Sequence, residues 1–499
     1  MTTAIWDLEC ARLRPAGRPS ARTAALGMSF GVGLGDGTLV IAPGVRIALS
    51  SGQVVLLVGP SGSGKTSALE RIHAQCAGAC LVQRITFPPE VAVIDRIAPW
   101  ASLPEALQIV TTCGLGEAPT WVRPFATLSD GEKFRARLAR AVALHSRGQP
   151  AGPLLCDEFC SNLHRRAAKA ISFNLRKLVT RRGLSAVVAC SNDDITGDLR
   201  PDTIVRFEGA GRCRVERSAP RSSNDAQTVH SISFRSRLRV ALGSKRHYEQ
   251  FAPMHYRAAD ELGFVDKVFI LREGFDGELL GVVVYAYSPL ELTLRNQATG
   301  GRFVRQPKLV NRSIRMLRRL VIHPDVRGCG LGQLLVKKTL PRVGTAYVEC
   351  LAAMGEFNPV FEKAGMQRIG QYPPHPKRQA AVEALKKLDV DPNARDFVLH
   401  VSRSRNLREI VAAVVHEWYE STTGGGKTRV QRQSPQLLAQ TFRGLIGARP
   451  VYYLWRKRRL RRPRGPRGTT KVSTASLLLP SEARSRGRAS GADASRGAS

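Results

Sequence analysis

The sequence predicts an α/β protein of at least two domains followed by a disordered basic tail, and three stretches predict it. Val54–Ser67 reads VVLLVGPSGSGKTS, an apolar strand that breaks into a glycine loop and then a helix. Leu279–Tyr287 (LLGVVVYAY) and Leu317–His323 (LRRLVIH) belong to a second set of strands, and the latter runs into another glycine loop at Arg327–Gly332. Arg456–Arg467, RKRRLRRPRGPR, places eight basic residues in twelve positions. A chain of 499 residues also exceeds what one hydrophobic core usually supports.

Composition narrows the function classes. No uncharged apolar run approaches eighteen residues, so no membrane span is expected. The opening MTTAIWDLECARLRP carries acids and no apolar core, which argues against a secretory signal and for a cytoplasmic location. Ten scattered cysteines then read as reduced thiols. Cys76 with Cys80, and Cys156 with Cys160, lie near His73 and His164, but both pairs fall inside elements of the first domain, so a zinc site is not expected. The formal charge of +36 points to a polyanion, with nucleic acid, RNA or DNA, as the leading partner. The Ser-, Gly-, Arg- and Pro-rich tail from Arg456 to Ser499 contributes to that charge and reads as disordered.

In chain order, residues 1–25 carry no periodicity and read as an N-terminal extension, and Met28–Ser50 reads as short strands leading into the first loop. That loop, Gly59, Pro60, Ser61, Gly62, Ser63, Gly64, Lys65, Thr66 and Ser67, fits G-x-x-x-x-G-K-[ST]. Glycines let successive N–H groups curl around a polyphosphate, Lys65 reaches its outer phosphates, and the Thr66 hydroxyl ligates Mg²⁺. Cys80–Gln83 reads as a short strand ending in Gln83. Leu128, Ser129, Asp130, Gly131 and Glu132 spell LSDGE ahead of a helical repeat, a pattern that a capping box also explains. Leu154–Glu158, LLCDE, is a strand ending in two carboxylates, suited to holding Mg²⁺ through Asp157 and polarising water through Glu158. SNLH at Ser161–His164 and AVVACSNDD at Ala186–Asp194 follow.

Taken together, these segments resemble the nucleotide-binding domain of ABC-type ATPases over about residues 28–217. The resemblance makes Gly59–Thr66 the Walker A loop, Gln83 the Q-loop residue beside Mg²⁺ with Thr66 and Asp157, LSDGE the signature, Glu158 the catalytic glutamate and SNLH the D-loop. It implies a head-to-tail homodimer sandwiching ATP, in which the signature acts in trans. Asp130 stands at the signature's first glycine and Asn192 at the switch histidine, which favours ATP binding over fast hydrolysis.

Ser218–Thr228 is polar and Pro-bearing, so a linker is placed at 218–240 between an ATPase domain at 26–217 and a second domain at 241–455. Val268–Arg272 and Leu279–Tyr287 read as a hairpin, and a helix is expected at Gln333–Thr339. Arg327, Gly328, Cys329, Gly330, Leu331 and Gly332, entered from Ile322, read as a second anion cradle at a helix N-terminus, a pattern that a plain Gly-rich turn also explains. With RLVIHPDVRGCGLGQLLV, AYVECLA and FEKAGM, this region resembles the GNAT N-acetyltransferase superfamily over about residues 245–370. That implies acetyl-CoA or a related acyl-CoA at the cradle. Phe361 stands where many members have a proton-donating tyrosine, leaving Glu349, Glu356, His255, Tyr256 and, less favoured, His323 as candidate acids or bases. A fainter similarity, confined to HY at His255, GVVVYAYSPL and RLVIHP, points to Mom-like acyltransferases that modify DNA bases. Residues 371–455, with an amphipathic helix near Ala380–Leu388 and a strand near Phe397–Val401, are expected to complete the second domain.

Three functions follow as expectations. One is an ATP-coupled N-acyltransferase acting on a nucleic-acid amine. Another is a nucleic-acid-binding ABC ATPase of repair or translation type with a degenerate GNAT-like module. The last is an acetyltransferase of protein or small amines, which the positive charge disfavours.

Overall fold

Val54–Val58 is a run of Val and Leu with every side chain buried, the pattern of a strand covered on both faces. In the computed structural model, which describes residues 4–8, 10–14, 18–31, 37–42, 45–147, 152–161, 163–209, 211–218, 231–255, 262–371, 375–394, 396–422, 426–447 and 450–457, this strand lies inside the first sheet. Among the described residues that sheet has six strands, ordered Arg212–Arg217, Thr203–Gly209, Val54–Val58, Ala186–Cys190, Leu154–Cys156 and Cys80–Leu81. Val54–Val58 runs parallel to both neighbours, so the loops leaving the carboxyl ends of the parallel strands open on one edge. One face is covered by helices Leu103–Thr112, Asp130–Ser146 and Arg165–Arg182, through residues such as Val110, Leu138 and Ile171. Across the sheet, Leu69 and Ile72 of helix Lys65–Gln75 pack with Trp6, Ile47 and Phe207.

The second sheet is ordered Leu238–Gly243, Val265–Glu273, Leu279–Tyr287, Ile314–Ile322, Tyr347–Ala352, Val451–Arg456 and Gln367–Gln371. Alternation along Leu279–Tyr287 sends Val283 and Tyr285 toward helix Leu331–Thr339, and Val282 and Val284 toward Tyr248 and Phe251. Its one parallel pair among the described residues, Ile314–Ile322 with Tyr347–Ala352, is in register only from Ile314↔Tyr347 to Leu317↔Cys350. Beyond Leu317 the two strands part, and the first runs on to Ile322 and into the glycine loop.

The halves share a core. Helix Arg165–Arg182 gives Ala170 and Phe173 to the apolar cluster of the second sheet, and Arg166 pairs with Glu273 at 3.3 Å and also with Glu278. Residues through Lys457 accordingly form one compact unit.

Several expectations are corrected. The N-terminal stretch joins the first sheet's core, since Ala4–Asp7 pairs with Arg46–Leu49 and Trp6 is buried. Ala21–Phe30 is a helix closed by Gly31 at φ 65°, which takes Met28 out of the expected strands. The end of the expected linker is folded: Ile232 and Phe234 are in the second core, and Ser233 donates from its N–H and Oγ to the buried Asp198. Phe397–Arg403 is a helix, because Phe397 and Val401 lie one helical turn apart on the core of a helical insert with Leu385, Val411 and Phe442. That insert spans Pro376–Gly447 and returns the chain to strand Val451–Arg456. Residues 219–230 of the linker and the tail from residue 458 lie outside the described residues.

Candidate functional site

The loop after Val54–Val58 can be built only with glycine at key positions. Gly62 and Gly64 are left-handed, at φ 76° and 105°. A Cβ on Gly59 would fall 2.4 Å from the Phe207 carbonyl oxygen. Gly64 caps the helix that begins at Lys65, so free N–H groups of its first turn face the loop. Lys65 is buried and donates through Nζ to the carbonyls of Gly59 at 2.8 Å and Pro60 at 2.7 Å. Burial lowers its pKa, against the opposing pull of Asp157 and Glu158. Ser63 Oγ is buried without a hydrogen-bond partner inside the same loop.

Three expected Mg²⁺ residues converge. Thr66 Oγ1 donates to Asp157 Oδ2 at 2.7 Å, and Gln83 Nε2 donates to the Asp157 carbonyl. Gln83 Oε1 is buried with no partner; this oxygen, the Thr66 hydroxyl and the Asp157 carboxylate are the kinds of oxygen donor a hard cation takes. Glu158 follows in a left-handed conformation at φ 45°, with its N–H bound to Asp157 Oδ1 at 2.9 Å and its side chain exposed. Asn192 lines a cleft of about 630 Å³ with Gly59, Pro60, Arg165 and Arg206. The adjacent Asp193 and Asp194 are pinned, Asp193 by Arg206 at 3.2 Å and Asp194 by Arg165 at 3.0 Å. Sequence reasoning singled out Asn192 and passed over both clamps, because their arginines are distant in the chain.

The signature lies elsewhere. Ser129 caps helix Asp130–Ser146 and closes a capping box, with its N–H 2.9 Å from Glu132 Oε2. Burial pushes the Glu132 carboxyl up, but hydrogen bonds from Ser129 and Thr120 hold it below its ordinary value. Leu128 is buried, Asp130 is exposed 3.9 Å from Lys133, and a Cβ on Gly131 would meet Leu163 at 2.8 Å. Ser129 and Glu132 line a separate pocket of about 150 Å³ with Gly116, Glu117, Arg135 and Pro324.

In the second half, Gly328 and Gly330 are left-handed at φ 82° and 78°, and Gly330 caps helix Leu331–Thr339. Gly332 packs against Val360, where a Cβ would come within 3.3 Å. Ile322 is half-buried, and Cys329 and Leu331 are buried, so the exposed backbone at the helix start is that of Gly330. Arg327 departs from expectation: its guanidinium does not face this cradle but turns between the halves, donating to the carbonyls of Ile322, Gly116 and Met254.

Glu349 is also reassigned. It is fully buried, with Oε1 2.7 Å and Oε2 3.0 Å from the equally buried Arg295, and it accepts from Tyr452 at 2.7 Å. Arg295 then ties the carbonyls of Pro289 and Leu290, so the pair is a structural clamp. Glu356 is exposed, 3.4 Å from Gln371 Nε2. His323 caps the turn Pro324–Val326, and its Nδ1 accepts from the Asp325 N–H. His255 closes the turn Ala252–Met254, and Tyr256 lies outside the described residues. Phe361 packs on Tyr453, ring centroids 5.4 Å apart. Burial, and then Glu362, push the Tyr453 phenol up to about 12. Among the described residues no three His, Cys, Asp or Glu are grouped to hold a metal, and the cysteines from Cys76 to Cys350 are free thiols.

No family profile matches the chain. A lipoprotein-releasing system ATP-binding protein of Novosphingobium aromaticivorans is 27% identical over 229 residues, covering 38% of this chain and 96% of that relative. A ferric-ion import ATP-binding protein of Agrobacterium fabrum is 26% identical over 226 residues, again 38% of this chain, which spans only 61% of that relative's length. A solved dimeric ATP-binding cassette in a post-hydrolysis state with ADP and Pi is 17% identical, with a TM-score of 0.32, and covers 43% of this chain and 98% of its own.

Proposed function

We propose that this chain, whose N-terminal part is an ABC ATPase-type nucleotide-binding domain that binds ATP, couples that nucleotide to N-acyl transfer from an acyl-CoA onto a nucleic-acid amine. The observation that carries the transferase half is the parting of strands Ile314–Ile322 and Tyr347–Ala352 beyond Leu317 and Cys350. Unpaired strand backbone there lies next to a helix start whose N–H groups suit a pyrophosphate, so a thioester arm would have hydrogen-bonding partners along its length.

When bound, ATP·Mg²⁺ would supply a cleavable phosphate. Lys65 and the N–H groups of Gly62–Thr66 would hold its phosphates, Thr66, Asp157 and Gln83 would hold the metal, and Glu158 would be placed to accept a proton from water. Ser129 and Glu132 line a pocket apart from the Lys65 loop, which supports the signature's acting on the nucleotide of a second copy. Asn192 can donate a hydrogen bond but carries no charge, so hydrolysis is slow. Across the described residues no helix is long and apolar enough to cross a membrane. The net +36 supports a polyanionic acceptor over a protein lysine or a small amine.

A second reading keeps ATP and nucleic-acid binding and drops the transfer. Phe361 has no proton to give, Arg327 is used between the halves, and Glu349 is clamped. Labelled acetyl-CoA offered separately with tRNA, duplex DNA and protein tests the two. Label on a nucleic acid establishes the transferase, and nucleotide and nucleic-acid binding without label on any acceptor favours the second reading.

A further inference from the structure

We propose that the loop His323–Gly330 is a coupling element through which nucleotide occupancy sets the state of the glycine cradle, with Arg327 as a positioning residue rather than an anion ligand. The inference rests on the reading that ATP binds at the Lys65 loop; the reading that a thioester binds at Gly330–Gly332 is tested apart from it. Two separate ATPase elements grip this one loop. From the first, Gly116 accepts from Arg327 Nη1 at 2.9 Å, and Glu117 stands 3.5 Å from the same nitrogen. Gly116 and Glu117 also line the pocket that holds Ser129 and Glu132, and Pro324 closes its other side. The signature cap and the loop are thus walls of one small cavity.

The second element is helix Arg165–Arg182, which follows in sequence on Asp157, Glu158 and the SNLH segment. Asn174 Nδ2 donates to the Arg327 carbonyl at 3.2 Å, and Lys177 Nζ donates to the Gly328 carbonyl at 3.4 Å. At its start, His164 Nδ1 lies 4.0 Å from Asp325 Oδ2. The fit has no slack. A Cβ on Gly328 would fall 2.6 Å from Asn174 Nδ2, and one on Gly116 would fall 2.9 Å from Arg327 Cδ. Packing this tight transmits displacement instead of absorbing it. Arg327 carries the movement onward, because its Nε also holds the carbonyl of Ile322, where the strand enters the loop, at 2.9 Å. Three residues later Gly330 caps the helix that forms the cradle.

Hydrogen–deuterium exchange of the full chain, with and without β,γ-imido-ATP and Mg²⁺, tests this. Peptides over 59–67 should become protected, and exchange over 323–332 should change about fivefold or more, the lower range of ordinary coupling between sites. The helical insert at 405–422 should stay unchanged. In E117Q/N174A, and in the milder Lys177→Ala should the former fold poorly, protection at 59–67 should persist while the response at 323–332 shrinks. Protection at 59–67 without any change at 323–332 in the natural chain overturns the coupling and spares the nucleotide site. A full response in both variants, or equal changes at 405–422, overturns it as well. No protection at 59–67 removes the premise and the proposal together. Acetyl-CoA alone, scored over 330–339, tests the thioester reading separately: a missing effect there, with the nucleotide response intact, contradicts that reading and leaves the coupling supported.

Discussion

Lys65 donates to the carbonyls of Gly59 and Pro60, so the cation that would meet the phosphates also ties the loop into its curled form. Lys65→Ala removes a charge-assisted contact of about 1.5–3 kcal/mol, so ATP affinity measured by calorimetry should fall about ten- to hundredfold. Unchanged affinity would contradict the assignment. Glu158→Gln keeps the shape and removes the proposed base, so ATP should still bind while hydrolysis drops by about 10²–10⁴. Glu349 separates two roles. Replacing it by Ala leaves Arg295 buried and unpaired at a cost of about 3–5 kcal/mol, which should appear as a large loss of thermal stability. A stable variant that only loses transfer would restore Glu349 as a base.

At the scale of elements, the capping box of helix Asp130–Ser146 makes a pH prediction. Hydrogen bonds from Ser129 depress the Glu132 pKa below its ordinary 4.5. Its contribution is therefore present above that value and lost as pH falls through the lower folded value. Melting temperatures of the natural chain and Glu132→Ala should differ most near neutral pH and converge in acid. A gap that stays constant down to acid pH would contradict the charged cap. The Lys65 loop and LSDGE were legible in the sequence because their chemistry is local: a buried strand, glycines at left-handed positions, a cap and its partner three residues on. Convergence of Thr66, Gln83 and Asp157 was readable only through resemblance, since it depends on strand order. Non-local pairing escaped the reading altogether: Arg295 with Glu349, Arg206 with Asp193, and Arg327 with Gly116 join residues whose types alone gave no sign of one another. Phe397–Val401 misled because a short, largely apolar run interrupted by His400 does not separate strand from helix.

For the whole molecule, the shared core through Ala170 and Phe173 argues that the ATPase and second sheet move as linked bodies, which a tethered pair would not. The net +36 predicts nucleic-acid binding that weakens steeply with salt, and ending the chain after Lys457 should flatten the slope of log affinity against log salt in proportion to the phosphates the tail contacts. An identical slope would make the tail a bystander. The measurement that tests the central claim most directly is the rate of label transfer from acetyl-CoA to nucleic acid with and without ATP·Mg²⁺, in the natural chain and in Lys65→Ala. The account predicts transfer that ATP·Mg²⁺ changes in the natural chain and leaves unchanged in Lys65→Ala. Transfer indifferent to ATP in both, or none onto any nucleic acid, would contradict it.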